Sequence, residues 1–332
     1  MKSKVALLVL SALALGTSAH AAEVFNKDGN KLDLNGRVKA AHKWSRHDSK
    51  DLTDARLGIK GNTQITDGLE GYGQYQVQFD GSKAEGKQST PATRLAFAGL
   101  KVNDVATVDY GRNWGIGYDV EAYTDVGSEF TGDAFADTDR QLTGRASGVL
   151  TTRTANLFGL ADGVNFGAQY QGSGREKDAN GIDRVAHGPA YGFSLGYDNI
   201  ADSGVSLIST YTTGENASGS HSELWAAGAK FESQGLYLAS IYGESRNLIA
   251  DGHKAQHLST AAAYVFDNGL RPNVVYTQTK VDKDAKSSLS NKDVALGLDY
   301  TLNKNLVLDV AYRLDLDTHA DNAVVTGITY QF

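Results

Sequence analysis

The stretch NLVLDVAYRLD, Asn305 to Asp315, decides how this chain must be read. Its even positions are Leu306, Leu308, Val310, Tyr312 and Leu314, and its odd positions include Asp309, Ala311, Arg313 and Asp315. Successive side chains of a strand point to opposite faces, so this spacing predicts a strand with one apolar and one polar face. Just upstream, Val294, Leu296, Leu298, Tyr300 and Leu302 alternate with Asp293, Gly297, Asp299 and Thr301. At the C-terminus, Thr326, Ile328, Tyr330 and Phe332 alternate with Gly327, Thr329 and Gln331.

Alternation does not say which face points inward. A soluble sandwich packs its apolar faces together, whereas a membrane barrel turns them outward to lipid. The polar faces here carry small residues and charges, as a watery lumen would. The apolar faces end repeatedly in aromatics: Tyr264, Phe266, Tyr276, Tyr300, Tyr312, Tyr330 and Phe332. Amphipathic rings at strand ends match the girdles at a membrane interface. The pattern therefore predicts a barrel with its oily side out.

The joints between strands support this independently. From Lys31 onward, short joints occur at Thr66-Asp67-Gly68, Val102-Asn103-Asp104, Ala161-Asp162-Gly163, Ala201-Asp202-Ser203-Gly204, Ser233-Gln234-Gly235, Asp267-Asn268-Gly269 and Asn303-Lys304-Asn305. Gly, Asn and Asp suit tight turns through positive φ or local side-chain hydrogen bonds. Longer polar connections lie between them, near 44–53, 81–91, 112–143, 172–190, 214–221, 245–255, 282–291 and 316–321. Seven turns and eight loops join sixteen strands. Short turns on one side and long loops on the other are the habit of bacterial outer-membrane barrels. A ring of about 16–18 strands is wide enough for an aqueous channel.

The start of the chain reads as an export signal. Lys2 and Lys4 precede the apolar run VALLVLSALAL, and Ala19-His20-Ala21 is a small-x-small cleavage site. Residues 1–21 are thus expected to be removed, leaving a barrel over 22–332. Without Lys2 and Lys4 the balance is 32 − 2 = 30 basic against 39 acidic residues, a net charge of −9. Such acidity argues against nucleic acid, whose phosphates call for a basic surface. The chain has no cysteine, which excludes disulfides and thiolate chemistry.

One segment breaks the β pattern. AYTDVGSEFTGDAFADTD, Ala122 to Asp139, holds Asp125, Glu129, Asp133, Asp137 and Asp139, follows Glu121, and has no Lys or Arg. The strands around it place basic residues on their inner faces. With Leu32, Leu34, Val38 and Ala40 outward, Arg37 and Lys39 point in. With Leu57 and Ile59 outward, Arg56 and Lys60 point in, and with Leu95 and Phe97 outward, Arg94 points in. Arg145 lies on a strand directly after the long connection 112–143. A loop bent into the lumen would set Asp125 and Glu129 opposite these arginines, with the two signs kept apart across water.

The same residues resemble an enterobacterial general diffusion porin of the OmpC and OmpF type. AEVFNKDGNKLDLNGRV, ARLGIKG, TRLAFAGLK, DYGRNWGIGYD, YTDVGSEFTGD, LFGLADGVNFGAQYQG, GLRPNVVYTQ and GITYQF follow in that family's order along the whole chain after the signal. The resemblance implies a 16-stranded antiparallel transmembrane β-barrel with short periplasmic turns, long outer loops and the third loop, 112–143, folded into the lumen. It implies a homotrimer that passes small hydrophilic solutes and ions through water, without a cofactor. Carried over by position, the basic constriction cluster falls on Arg37, Arg56, Arg94 and Arg145, and the acidic loop pair on Asp125 and Glu129. Tyr118 and Asp133 would line the pore. Glu85, in the second loop, would latch onto a neighbouring subunit. Phe332 would be the signal read by the barrel assembly machinery, and the outer surface would meet lipid and lipopolysaccharide. The family's Pro-Glu-Phe-Gly-Gly-Asp motif is here Ser128-Glu129-Phe130-Thr131-Gly132-Asp133, and a position basic in some relatives is Ala92.

Rival readings lack residues. GSKAEGKQ, Gly81 to Gln88, approaches a phosphate loop but has no Ser or Thr after its lysine, and Pro91 and a strand follow where a helix is required. DANGID lacks the closing glutamate of a calcium loop. An outer-membrane barrel enzyme would need a base beside a nucleophile, and His42, His47, His187, His221, His253, His257 and His319 have no recognisable partner. A sugar- or phosphate-specific channel is the nearer alternative. A sugar channel would favour an aromatic ladder along the lumen, whereas most aromatics here have outward parity. Net acidity favours a weak cation preference.

Overall fold

A computed structural model describes residues 22–332 apart from 89, 178–182, 217, 250–252, 284–285 and 317–319. The export signal expected at 1–21, His319 and most of DANGID therefore lie outside the described residues. Sixteen antiparallel strands form a closed ring, each paired with its sequence neighbours. They are β1 Asn30–Ser45, β2 Asp54–Thr66, β3 Leu69–Asp80, β4 Ala92–Val102, β5 Ala106–Trp114, β6 Arg145–Thr154, β7 Val164–Gln171 and β8 Ala190–Tyr197. Then follow β9 Val205–Glu215, β10 His221–Ser233, β11 Leu236–Arg246, β12 Lys254–Tyr264, β13 Leu270–Lys283, β14 Lys286–Asn303, β15 Leu306–Asp315 and β16 Ala323–Gln331.

The ring closes on β1, which pairs with β2 on one edge and with β16 on the other. β16 covers only the part of β1 from Arg37 to Ser45. The rest of that edge is filled by a short strand, Ala22–Lys27, paired from Ala22↔Leu34 to Lys27↔Asn30. Between them Phe332 exchanges both backbone hydrogen bonds with Gly36, at 2.8 and 3.0 Å. Its ring lies where a side chain on Gly36 would stand, 2.7 Å from an added Cβ. The seam is thus built from residues 22–27 and 323–332 against β1, which pairs along it.

The outer face settles the orientation of the strands. Val38, Leu57, Ile59, Tyr75, Leu150, Phe193, Leu195, Leu207, Trp225, Leu238, Leu296, Leu298, Val310, Tyr312 and Ile328 are all exposed. An apolar surface of this extent is incompatible with a soluble monomer and suits hydrocarbon. The inner faces of β8 to β16 carry Ser194, Thr210, Ala226, Ala239, Ala261, Ala295, Ala311 and Val325, all buried.

Two expectations from periodicity are corrected. Leu95 and Phe97 face the lumen, because they pair with Gln76 and Gln74 on the inner face of β3. The register shifts between Gln76 and Val77, and this bulge lets Arg94 point inward as well. Strict alternation cannot anticipate an extra residue. The long connection expected at 282–291 is instead strand: β13 and β14 continue to a Lys283↔Lys286 pair, leaving only 284–285 between them. Within 172–190 a hairpin forms from Gly174–Lys177 and Asp183–His187, and Ser49–Asp51 folds back onto β1.

The lipid-facing assignment is testable at Val310, in the middle of β15. Val310→Arg is expected to destabilise the barrel in phospholipid vesicles by about 2–4 kcal/mol, the cost of a basic side chain near the bilayer midplane. Asp309→Asn, one residue along on the inner face, should cost far less. Equal denaturant midpoints for the two variants would place Val310 in water.

Candidate pore constriction

The connection from β5 to β6 runs inside the barrel. Its limbs are zipped at the root by Gly115 N–H to Gly144 O (2.7 Å) and Gly117 N–H to Leu142 O (2.8 Å). Ile116 and Leu142 are fully buried with Ala146, Val149 and Ala190. Gln169 on β7 accepts from Ile116 N–H and donates to Trp114 O, each at 2.9 Å. Gly192 is required here, since an added Cβ would lie 2.5 Å from Ile116 Cγ2. The short helix α1, Tyr118–Glu121, follows.

The rest of the loop is pinned to the opposite wall. Tyr237 donates to Tyr123 O at 2.6 Å, and Arg271 reaches Val126 O at 2.6 and 3.1 Å. His257 Nδ1–H and Thr279 Oγ1–H both donate to Ala134 O, at 2.8 and 2.9 Å. Val120, Tyr123, Val126, Ala134 and Phe135 pack on Leu224, Ala226, Ile241, Ala261, Val275 and Ala295. The barrel therefore encloses a hydrophobic core between loop and wall, which explains the small apolar residues facing inward. The two departures from the family motif take part. Ser128 N–H donates to Asn273 Oδ1 at 3.2 Å and Ser128 Oγ accepts from Asn273 Nδ2 at 2.7 Å. A proline at 128 would lack that N–H. Thr131 Oγ1 donates to Thr124 O at 3.0 Å.

The loop's acids are dispersed among local partners, contrary to the expectation that they face the arginines unpaired. Asp119 accepts a fork from Arg153 at 2.7 and 2.9 Å and a third bond from Ser194 at 2.7 Å. Glu121 is wholly buried and accepts from Ala134 N–H (2.9 Å) and Phe135 N–H (3.3 Å), tying the two limbs together. Burial pushes its carboxyl up to about 8, against the Ala134 hydrogen bond and with nearby Asp125 adding to the rise. Glu121 thus adds little negative charge at neutral pH. Burial raises Asp125 too, opposed by the hydrogen bond from Tyr118. Tyr118 donates to Asp125. Glu129 forms an ion pair with Lys39 on β1. Asp139 pairs with Arg112, and Asp137 with Arg140 at 3.2 Å.

The predicted basic residues fall into two groups. Arg37 and Arg56 are register partners on β1 and β2, and both approach Asp54, at 3.2 and 3.9 Å. Arg56 and Arg94 both donate to Gln78 Oε1, at 2.9 and 3.1 Å, and Arg94 also reaches Gln76 at 3.0 Å. Arg37, Arg56 and Arg94 are therefore linked through one acid, Asp54, and one neutral amide, Gln78. Arg145 stands apart, over the Trp114 ring at 5.3 Å and donating to Thr138 at 2.9 Å. Trp114 stacks in turn on Tyr118, with centroids 4.0 Å apart.

Asp133 and Glu85 are exposed, the first on the loop and the second on a turn between β3 and β4. Asp54, Gln76, Gln78 and Trp114 join the site without having been singled out, and Lys39 joins it as well. Inner-face parity alone identified Lys39. The neutral glutamines left no sequence signal, because their role depends on register with β2 and β4. Among the described residues no cluster of His, Asp and Glu could hold a metal ion.

Arg153→Met would strand the buried Asp119 carboxylate. Breaking such a pair costs about 3–5 kcal/mol, so the loop should detach and become cleavable by trypsin at the exposed Arg140. Protection equal to that of the unaltered protein would show that the apolar packing holds the loop without this pair.

Comparison with known proteins agrees with this architecture. The Gram-negative porin family profile matches residues 27–332. The outer membrane porin PhoE of Enterobacter cloacae is 43% identical, over 100% of this chain and 99% of its own length. A putative outer membrane porin, NmpC of Escherichia coli K12, is 41% identical over 98% of this chain and 97% of its own. Among solved structures, Salmonella typhi OmpF in complex with daunomycin superposes with a TM-score of 0.86 and 36% identity, covering 93% of this chain and 100% of that one. With its closed ring, inserted loop and matching relatives, the chain belongs to the Gram-negative porin family.

Proposed function

We propose that this outer-membrane porin conducts small hydrophilic solutes and ions passively, through a lumen narrowed between the inserted loop and the wall bearing Arg37, Arg56, Arg94 and Arg145. The observation that carries this is the loop itself, pinned inside the ring from its root to Ala134. No bond chemistry or energy coupling enters. Tyr118 and Asp133 are assigned to the pore lining. Glu85 is assigned to a contact between subunits of a homotrimer, which its exposure on a projecting turn allows. Phe332, at the seam, is assigned the role of assembly signal, and the outer surface meets lipid and lipopolysaccharide.

Selectivity follows from charge at the narrow section. The chain's net acidity supports a weak cation preference. A second reading, weak anion preference, is favoured by one observation: Glu129 is neutralised by Lys39, while Arg56 and Arg94 are hydrogen-bonded to neutral glutamines. Charges farther than about 8 Å are screened at physiological salt, so the local set weighs most in the constriction.

Single-channel reversal potentials in a salt gradient separate the two. Asp125→Asn with Glu129→Gln should move the potential toward anions, and unaltered values would remove both residues from the constriction. Lys39→Gln frees Glu129 and should move it toward cations. A unit charge about 4 Å away in water is worth about 1 kcal/mol, so each change should alter the permeability ratio by up to roughly fivefold. Conductance steps in groups of three would support the trimer. Block of the current by one sugar or by phosphate would favour a specific channel.

A further inference from the structure

One short turn differs in kind from the others. The tips at Asp67-Gly68, Asn103-Asp104, Gln234-Gly235, Asn268-Gly269 and Lys304-Asn305 are polar, and the turn before β9 carries one large apolar side chain, the half-buried Ile200. Between β6 and β7, however, the chain presents Leu157, Phe158 and Leu160, exposed by 36%, 56% and 84%. Asn156, Leu157, Phe158 and Gly159 all have positive φ, of 50°, 43°, 60° and 80°. A left-handed run is unfavourable for leucine and phenylalanine, and persists only where the surroundings impose it.

The surroundings do impose it. Asn156 N–H donates to Asn165 Oδ1 (3.2 Å) and Asn156 Oδ1 accepts from Gly163 N–H (2.8 Å). Asn165 is held by Asp198 at 2.7 Å, and Ala155 N–H is bound to Val105 O at 2.8 Å. The turn is a fixed feature with its apolar side chains on show. It also joins β6 and β7, whose outward faces carry the exposed register partners Leu150 and Tyr170. Thr154 has the outward parity of Leu150, yet it is only 5% exposed, whereas Leu150 is 44% exposed. The strand end that leads into the turn is thus covered on its outer side. Phe166, the register partner of Thr154, stacks at 6.3 Å on the outward Phe193.

We propose that the turn 155–163 is a membrane anchor, inserting Leu157, Phe158 and Leu160 among the phospholipids of the periplasmic leaflet. It directly connects two strands of the lipid-facing belt, β6 and β7, which is what favours lipid over a protein partner. Amphipathic surface elements of this kind bury their apolar side at the headgroup–acyl boundary. The anchor would fix the depth of the barrel wall that carries Arg153 and Arg145.

The chain has no cysteine, so Leu160→Cys gives a unique site for a nitroxide label. Lys304→Cys, on a polar turn at the same end, is the control. Both are reconstituted as full-length protein in phosphatidylethanolamine–phosphatidylglycerol vesicles, and accessibility to oxygen and to a nickel chelate is read by spin resonance. The label at 160 is expected about 5–10 Å below the headgroup level, favouring oxygen, while the label at 304 favours the chelate. Equal chelate access at both sites would overturn the proposal. So would shielding of 160 from both reagents, which would assign the turn to a protein contact, with dipolar broadening identifying a second copy of this chain.

Discussion

A backbone crossing hydrocarbon finds no water to satisfy its N–H and C=O groups, so every strand must pair on both edges. The whole fold answers that constraint. Sixteen strands close, and at the seam β16 stops short, leaving part of β1 to be covered by Ala22–Lys27. Phe332 bridges the junction by pairing with Gly36, where the absence of a side chain makes room for the ring. Once closure is met, the outer face is free to be apolar and the inner face is free to hold whatever the lumen requires.

What the lumen holds is a second, smaller folding problem. Thirty residues of connection are drawn inside and must bury their own polar groups. They do so on both sides: apolar side chains from Val120 to Phe135 against the alanine-rich wall, and carbonyls at Tyr123, Val126 and Ala134 against Tyr237, Arg271, His257 and Thr279. The inner wall is thus divided by task. From β8 to β14 it is mainly a seat for the loop, and from β1 to β6 it carries Arg37, Arg56, Arg94 and Arg145.

Charge follows the same division. Asp119 and Glu121 serve as fasteners, one on Arg153 and one across the two limbs of the loop. Glu129 is spent on Lys39. The segment's many carboxylates are therefore a poor guide to the field in the pore, since partners and burial remove much of their charge before an ion meets it. The wall arginines differ in this respect, because two of them rest on glutamine amides that leave their charge intact.

The alternation in β14, β15 and β16 was legible directly, as were the short turns and the inward parity of Arg37, Lys39 and Arg56. Each depends on a residue's own neighbours in sequence, and a strand's period of two transmits them without loss. Tertiary structure decided the rest. The bulge beside Gln76 turned Leu95 and Phe97 into the lumen, and cross-strand register brought Asp54 and Gln78 to the arginines. The destinations of several loop carboxylates depended on groups tens of residues away, as with Asp119 and Ser194 or Glu129 and Lys39. Periodicity records which face a side chain takes, but its partner is set by how distant strands and the loop come together in space, and no local pattern carries that.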